Sequence, residues 1–341
     1  MQDAQILYTV AGVVVAGLAA WVAKVLATAP VFVRQAPPAG ATTAEAPPSS
    51  RPPSSSRDGD APPVSARESA DNEMASLPKM TAVEDDDEPT GPYAMILVTA
   101  VGTTDPGKHR PNNEDSYAID DEHHLLVVAD GMGRHAAGEV ASSLAVASVT
   151  QAFASETAPE PPPEADAKLG RRGNRLRAAV SVANERVYAR SLEVDEYGGM
   201  GTTIVCAHFS PNKQKVYLAH VGDSRCYRLR AGKLARLTQD HTLGAAGITG
   251  KNADVLVRAL GPEPHVEVDV AVESPLPGDV YLLCSDGLPR MVPEAQIQAT
   301  LAATPDLADA TGKLVELANG AGGRDNITLI LAAISAAPMP P

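Results

Sequence analysis

Three aspartates, Asp130, Asp286 and Asp325, stand where polar loops meet long apolar runs. Asp130 follows the uninterrupted LLVVA at 125–129 and precedes Gly131 and Gly133, within LLVVADGMGRHAAGEVAS. Asp286 sits in VYLLCSDGL, and Asp325 precedes the apolar run of GGRDNITLILA. A carboxylate beside glycine at a strand end can reach a metal ion without a bulky neighbour in the way. A further polar segment, TDPGKHRPNNEDSYAID, brings Arg110, Glu114 and Asp115. Carboxylates with no cysteine or histidine at ligand spacing suit hard cations such as Mg²⁺ or Mn²⁺. Gathered together they repel one another unless a cation neutralises them. Two such ions acidify a bridging water, which makes a nucleophile for phosphoryl-ester hydrolysis. Arg110 offers a planar, bidentate donor to phosphate oxygens.

Each residue alone has a plainer reading. An aspartate at a strand end caps a helix or makes a turn, and Asp130-Gly131 is a hairpin signal. Arg110 reads as a surface arginine, His135 as a solvated turn residue, and Asp223 of GDSR as a turn-holder. A hairpin at Asp130 needs a second strand at once, and a helical pattern from about Ala136 follows instead. The recurrence of the strand–Asp–Gly construction at 280–287 argues for a shared site.

These residues need a scaffold. Strand-like runs occur at 95–103, 116–119, 125–129, 203–209, 215–221, 225–230, 265–272, 280–284 and 327–334. Helical runs occur at 138–155, 168–192, 294–303 and 307–319, the first two separated by the proline-rich insert 159–163. Strands cluster around helix pairs instead of alternating with helices, which predicts α+β: antiparallel sheets covered by helix pairs. The segment 93–335 reads as one globular domain, with 336–341 as a tail.

Residues 6–23 are apolar apart from Tyr8 and Thr9. Eighteen helical residues span roughly 27 Å, enough to cross a bilayer core. No Lys or Arg precedes the run, and Lys24 and Arg34 follow it. That order predicts one transmembrane helix in a membrane anchor at 1–34, with the downstream domain cytoplasmic; the alternatives are a signal peptide and a hydrophobic helix packed on the domain. Residues 35–92, centred on PPSSRPPSSSRDGDAPP, are too poor in core-forming residues to fold and predict a disordered linker. A formal charge of −14 argues against nucleic acid as a partner. The three cysteines, Cys206, Cys226 and Cys284, lie in apolar runs and read as small core residues of a reducing compartment.

The ordered series RPNNED, ADGMGRHAAGE, GMGTT, HVGDSR, LTQDH, RALG, CSDGL and GGRDNIT resembles the bacterial branch of the metal-dependent type 2C serine/threonine protein phosphatases. The resemblance spans roughly 95–334. It implies a β-sandwich of two antiparallel sheets flanked by helix pairs, and hydrolysis of phosphoserine and phosphothreonine on proteins by a metal-activated water. It also implies that Asp130 bridges two Mn²⁺ or Mg²⁺ ions, with the Gly131 carbonyl on one of them. Asp286 and Asp325 then complete the ligands, Glu114 and Asp115 hold metal-associated waters, and Arg110 binds the substrate phosphate. The implied partners are phosphorylated proteins, substrates of a bacterial Ser/Thr kinase. The alternatives are a pseudophosphatase or phosphoprotein-binding scaffold, and a phosphatase of small phosphate esters.

The chain departs from that family at three places. Arg134 stands where ADGMGGH has glycine. Gly198 stands where relatives often carry an aspartate just before GMGTT, with Asp195 and Glu196 slightly upstream. The segment between LTQDH and RALG, 242–257, is short. The second departure predicts two tightly held ions and a third that is weak or absent, the alternative being that Glu196 replaces the missing carboxylate.

Overall fold

The computed structural model describes residues 96–133, 137–154, 166–210 and 214–336. The proposed anchor, the whole of the proposed linker, the proline insert, Arg134 and His135 lie outside them. Among the described residues no helix is long and apolar enough to cross a membrane.

The strands are β1 (Ile96–Asp105), β2 (Asp115–Asp120), β3 (Leu125–Met132), β4 (Gly201–Thr202), β5 (Ile204–Phe209), β6 (Val216–Val221), β7 (Arg225–Arg230), β8 (Lys233–Arg236), β9 (Asp269–Glu273), β10 (Val280–Cys284) and β11 (Ile327–Ala336). The helices are α1 (Ala137–Ala154), α2 (Gly170–Glu193), α3 (Glu294–Ala303) and α4 (Leu307–Gly320). One sheet has the order β1-β11-β10-β7-β8 and the other β2-β3-β5-β6-β9, with β4 pairing to β3. All pairings are antiparallel.

Burial parity explains how the layers stack. Successive strand side chains point to opposite faces. Leu125, Val127 and Ala129 of β3 pack with Ala141, Ala145, Val149, Leu176 and Val180 of the first helix pair. Leu126 and Val128 pack instead with Tyr281, Leu283, Ile330 and Ala332 of the other sheet. The opposite faces of β10 and β11, through Leu282, Cys284, Leu329 and Leu331, meet Ile297, Leu301, Leu314 and Ala318 of the second helix pair. The result is helix pair, sheet, sheet, helix pair. Both faces of the central strands are covered, so they read as continuous apolar runs and not as alternating ones.

The α+β sandwich agrees with the expectation from element order, and differs in detail. β3 runs on to Met132, so Asp130 lies within the strand and not after its end; pairing with β2 and the short β4 carries the ladder past the apolar run. β8 was not legible because KLAR is mostly exposed and lacks an apolar signature. β9 begins at Asp269 and not at 265, since regular pairing with β6 starts only at His220↔Asp269.

Candidate metal centre

The same parity places the carboxylates. Asp130 follows Leu126 and Val128 on the face of β3 that looks into the sandwich. Asp115 shares its face of β2 with Tyr117 and Ile119, which pack against the inter-sheet core. The register puts Asp115 directly opposite Asp130. Two like charges in a cross-strand pair are unfavourable by themselves. From the other sheet, Ser285 continues the inward face of Tyr281 and Leu283, and its Oγ donates to Asp115 Oδ2 at 2.8 Å. Asp286 follows, and Asp325 precedes β11. The four aspartates therefore converge at one end of the slot between the sheets.

Backbone contacts hold these loops at close range. A Cβ on Gly287 would fall on the Asn326 carbonyl, and one on Gly131 would fall on the Gly138 carbonyl. Glycine is required at both positions by proximity. The Gly131 N–H donates to the Glu114 carbonyl at 3.0 Å. Asn326 accepts from the Glu114 N–H at 2.9 Å and donates to the carbonyls of Pro106 and Asn112 at 3.0 Å each. The segment carrying Arg110 and Glu114 is thus pinned to the base of β11. The Glu114 side chain lies against Gly138 in the first turn of α1, where the helix dipole favours an anion.

The electrostatics are those of a crowded acid cluster. Desolvation, followed by the charges of Asp115, Asp286, Asp223 and Asp325, holds the Asp130 carboxyl well above the usual carboxylate range. Burial, with Asp286 and Asp325 adding to it, pushes Asp115 up to about 7 against the pull of its Thr328 and Ser285 hydrogen bonds. Burial and then the Asp286 charge push Asp223 up to about 7 as well. Two arginines answer this field. Arg110 grips Asp325 bidentately, Nε to Oδ1 at 2.8 Å and Nη2 to Oδ2 at 2.9 Å. Arg290 reaches Asp286 Oδ2 at 2.8 Å and Asp223 Oδ2 at 3.1 Å.

The residues present fit hard divalent cations. The donors are all oxygen. Asp115 Oδ1 is buried with no hydrogen-bond partner among the described residues, an arrangement that costs free energy unless something outside the protein meets it. No three of these carboxylates bring ligand atoms within 4.8 Å of one another, a spacing consistent with like charges held apart by two arginines.

The structure therefore brings together Arg110, Glu114, Asp115, Asp130, Gly131, Asp286 and Asp325. Asp195 and Glu196 are exposed on a 3₁₀ turn beside exposed Gly198 and Gly199. Three members of the cluster were not assigned to it from sequence. Ser285 was hidden within CSDG, Asp223 reads as a turn residue in GDSR, and Arg290 carried only the weak signal of lying four residues after Asp286.

A second polar cluster lies under residues 242–257. His220, His241 and Asp269 place their ligand atoms within 4.8 Å of one another, and the two imidazoles stack with centroids 4.6 Å apart. His241 Nδ1 accepts the Gly222 N–H at 3.1 Å, so the neutral ring carries its proton on Nε2, 3.3 Å from Asp269 Oδ2. His220 Nε2 donates to the Gln239 carbonyl at 2.8 Å. Arg258 donates to Asp269 Oδ1 at 2.6 Å. Burial pushes both imidazoles below their ordinary pKa. The cationic position at this carboxylate is already filled by a guanidinium.

Comparison with known proteins places the chain. The family model for Protein phosphatase 2C matches residues 108–326. The serine/threonine phosphatase stp of Listeria welshimeri is 36% identical over 242 residues, covering 67% of this chain and 92% of that protein. The serine/threonine protein phosphatase PstP of Mycobacterium tuberculosis is 39% identical over 248 residues, 70% of this chain and 45% of PstP. The structure of the PstP catalytic domain in complex with two manganese ions superposes with a TM-score of 0.61 at 36% identity, over 70% of this chain and 99% of that one. Stp1 of Staphylococcus aureus gives 0.63 at 31% identity, over 70% and 96%.

Proposed function

The chain belongs to the protein phosphatase 2C family, and on that premise we propose how its own residues perform the family's reaction. It is a metal-dependent serine/threonine protein phosphatase, hydrolysing phosphate from proteins and using two Mn²⁺ or Mg²⁺ ions. The observation that carries the reading is the pair Asp115 and Asp130, opposed at the mouth of the sandwich with Asp286 and Asp325 beside them. Asp130, with the Gly131 carbonyl, Asp286 and Asp325, would hold the ions, and Glu114 and Asp115 would orient waters around them. When bound, the ions offset the charge of these carboxylates and of the phosphate and lower the pKa of water. Ser285 keeps the Asp115 carboxylate oriented. Arg110, half-buried beside the cluster and oriented by Asp325, is the donor assigned to the substrate phosphate.

The test is hydrolysis of a phosphothreonine peptide by the full chain, measured before and after chelation. Turnover that needs Mn²⁺ or Mg²⁺ and disappears in Asp286→Asn is expected. Hydrolysis that persists without divalent ions would overturn the assignment.

We further propose that residues 6–23 anchor the chain in the cell membrane as a single pass, with the phosphatase domain cytoplasmic and opposing a bacterial Ser/Thr kinase. The apolar run followed by Lys24 and Arg34 supports this. The full chain should resist carbonate extraction from membranes. Mature protein recovered from the medium without its first thirty or so residues would overturn it.

A further inference from the structure

Arg290 and Asp223 have no part in the proposed reaction, and Arg290 is the only cation among the described residues that contacts both Asp223 and Asp286. It bridges two carboxylates from different segments, Asp286 of its own turn and Asp223 of the loop between β6 and β7. Its backbone N–H donates to the Asp286 carbonyl at 3.0 Å, so guanidinium and carboxylate leave the same helical turn and meet at little entropic cost. Both carboxylates are largely enclosed: the side chains of Asp223 and Asp286 are 7% and 11% exposed, against 29% for Arg290. Removing the cation from such a pair leaves two like charges facing each other in a desolvated place, which is strongly unfavourable unless another cation enters.

We propose that Arg290 is a built-in cation of the metal centre, occupying the Asp223–Asp286 position and so limiting the protein to two tightly bound divalent ions. Arg290 is then a positioning residue that sets the number of ions. Gly198 and Gly199 have no side chains to offer, and Asp195 and Glu196 are exposed on their turn. Burial opposes the Arg290 charge, and the carboxylates of Asp286, Asp223, Asp254 and Asp130 outweigh it. The inference rests on the metal-centre reading and deepens it by assigning an ion count to a residue.

The experiment is a Mn²⁺ titration of the metal-stripped full chain, read by calorimetry and by the electron paramagnetic resonance of free Mn²⁺, without reference to turnover. Wild-type protein is expected to take up two ions, with any third at least tenfold weaker. Arg290→Met is expected to gain a third ion within tenfold of the first two. Its metal-free melting temperature should fall, and saturating Mn²⁺ should restore it. Arg290→Lys, which keeps the charge, should return the count to two. Three ions of similar affinity in wild-type protein overturn the proposal without any variant, even if Arg290→Met fails to fold. So does an unchanged count in Arg290→Met with affinities within twofold. Uptake of no Mn²⁺ by wild-type protein overturns the metal centre itself, and is distinguishable from both.

Discussion

The carboxylate cluster between the sheets and the histidine cluster under residues 242–257 are built from similar materials and reach opposite states. In the histidine cluster each polar group meets a partner from the protein: Gly222 N–H on His241, the Gln239 carbonyl on His220, and Arg258 on Asp269. Burial raises the Asp269 carboxyl, but Arg258 and His241 outweigh it and hold it below its ordinary range. In the carboxylate cluster two arginines face a larger number of acids. Asp115, Asp130 and Asp223 are all displaced upward, with burial first among the causes. A satisfied cluster holds a fold together, whereas an unsatisfied one is retained for what it binds.

The largest effect should come from deleting charge in the unsatisfied cluster. Asp130→Asn should lower turnover by at least about a hundred- to a thousand-fold, the scale on which a preorganised electrostatic element acts. The same change should raise the metal-free melting temperature, by about 2–4 °C if the relieved repulsion is worth about 1 kcal/mol in a domain of this size. Lost activity with an unchanged or lowered melting temperature would contradict the account of Asp130 as a repelled carboxylate.

The pH dependence of stability should separate the clusters next. The folded-state pKa of Asp115 and Asp223 is about 7 against an ordinary 3.8. Their stabilising contribution is therefore full below about 3.8 and is lost as pH rises through 7, by up to about 1.4 kcal/mol per pH unit for each group. Metal-free protein should melt at lower temperature as pH rises from 6.5 to about 7.5 and level off above, where both states are deprotonated, and saturating Mn²⁺ should remove that slope, because the ions bind the deprotonated forms. His208 works in the other direction. Burial pushes its pKa down to about 3 from 6.5, so its contribution is lost only as pH falls below about 6.5, outside that window. Metal-free stability that rises between pH 6.5 and 8, measured by calorimetry, would refute this.

Breaking the satisfied cluster should change stability without changing ion count. His241→Ala removes the acceptor of the Gly222 N–H and should cost about 1–3 kcal/mol in chemical denaturation. Mn²⁺ uptake should stay at the wild-type number; loss of an ion would show that the cluster belongs to the metal centre. The smallest effect is expected at Glu196→Ala. Glu196 is exposed on its turn, and substitution should alter Mn²⁺ affinity and turnover by less than about twofold and stability by less than about 0.5 kcal/mol. A lost ion would restore Glu196 as a substitute ligand.

Much of the architecture was readable from residue order alone. Continuous apolar runs meant strands covered on both faces, and consecutive helical runs meant helix pairs, so the layered α+β architecture was legible. The apolar runs ending at Asp130 and before Asp286 marked both carboxylates, and the glycines beside them marked room to reach a metal ion; that β3 continues to Met132, and so puts Asp130 on the face of Leu126 and Val128, came only with its pairing to β2 and β4. The pairing of the charges emerged only on folding. Arg110 and Asp325 are 215 residues apart, and Arg290 and Asp223 are 67 apart. Beyond its place four residues after Asp286, nothing local distinguishes Arg290 from a surface arginine, and nothing distinguishes Asp223 from a turn residue. Propensity and periodicity act over a few residues along the chain, whereas ion pairing depends on distance in space, and only the closing of one sheet over the other sets that distance.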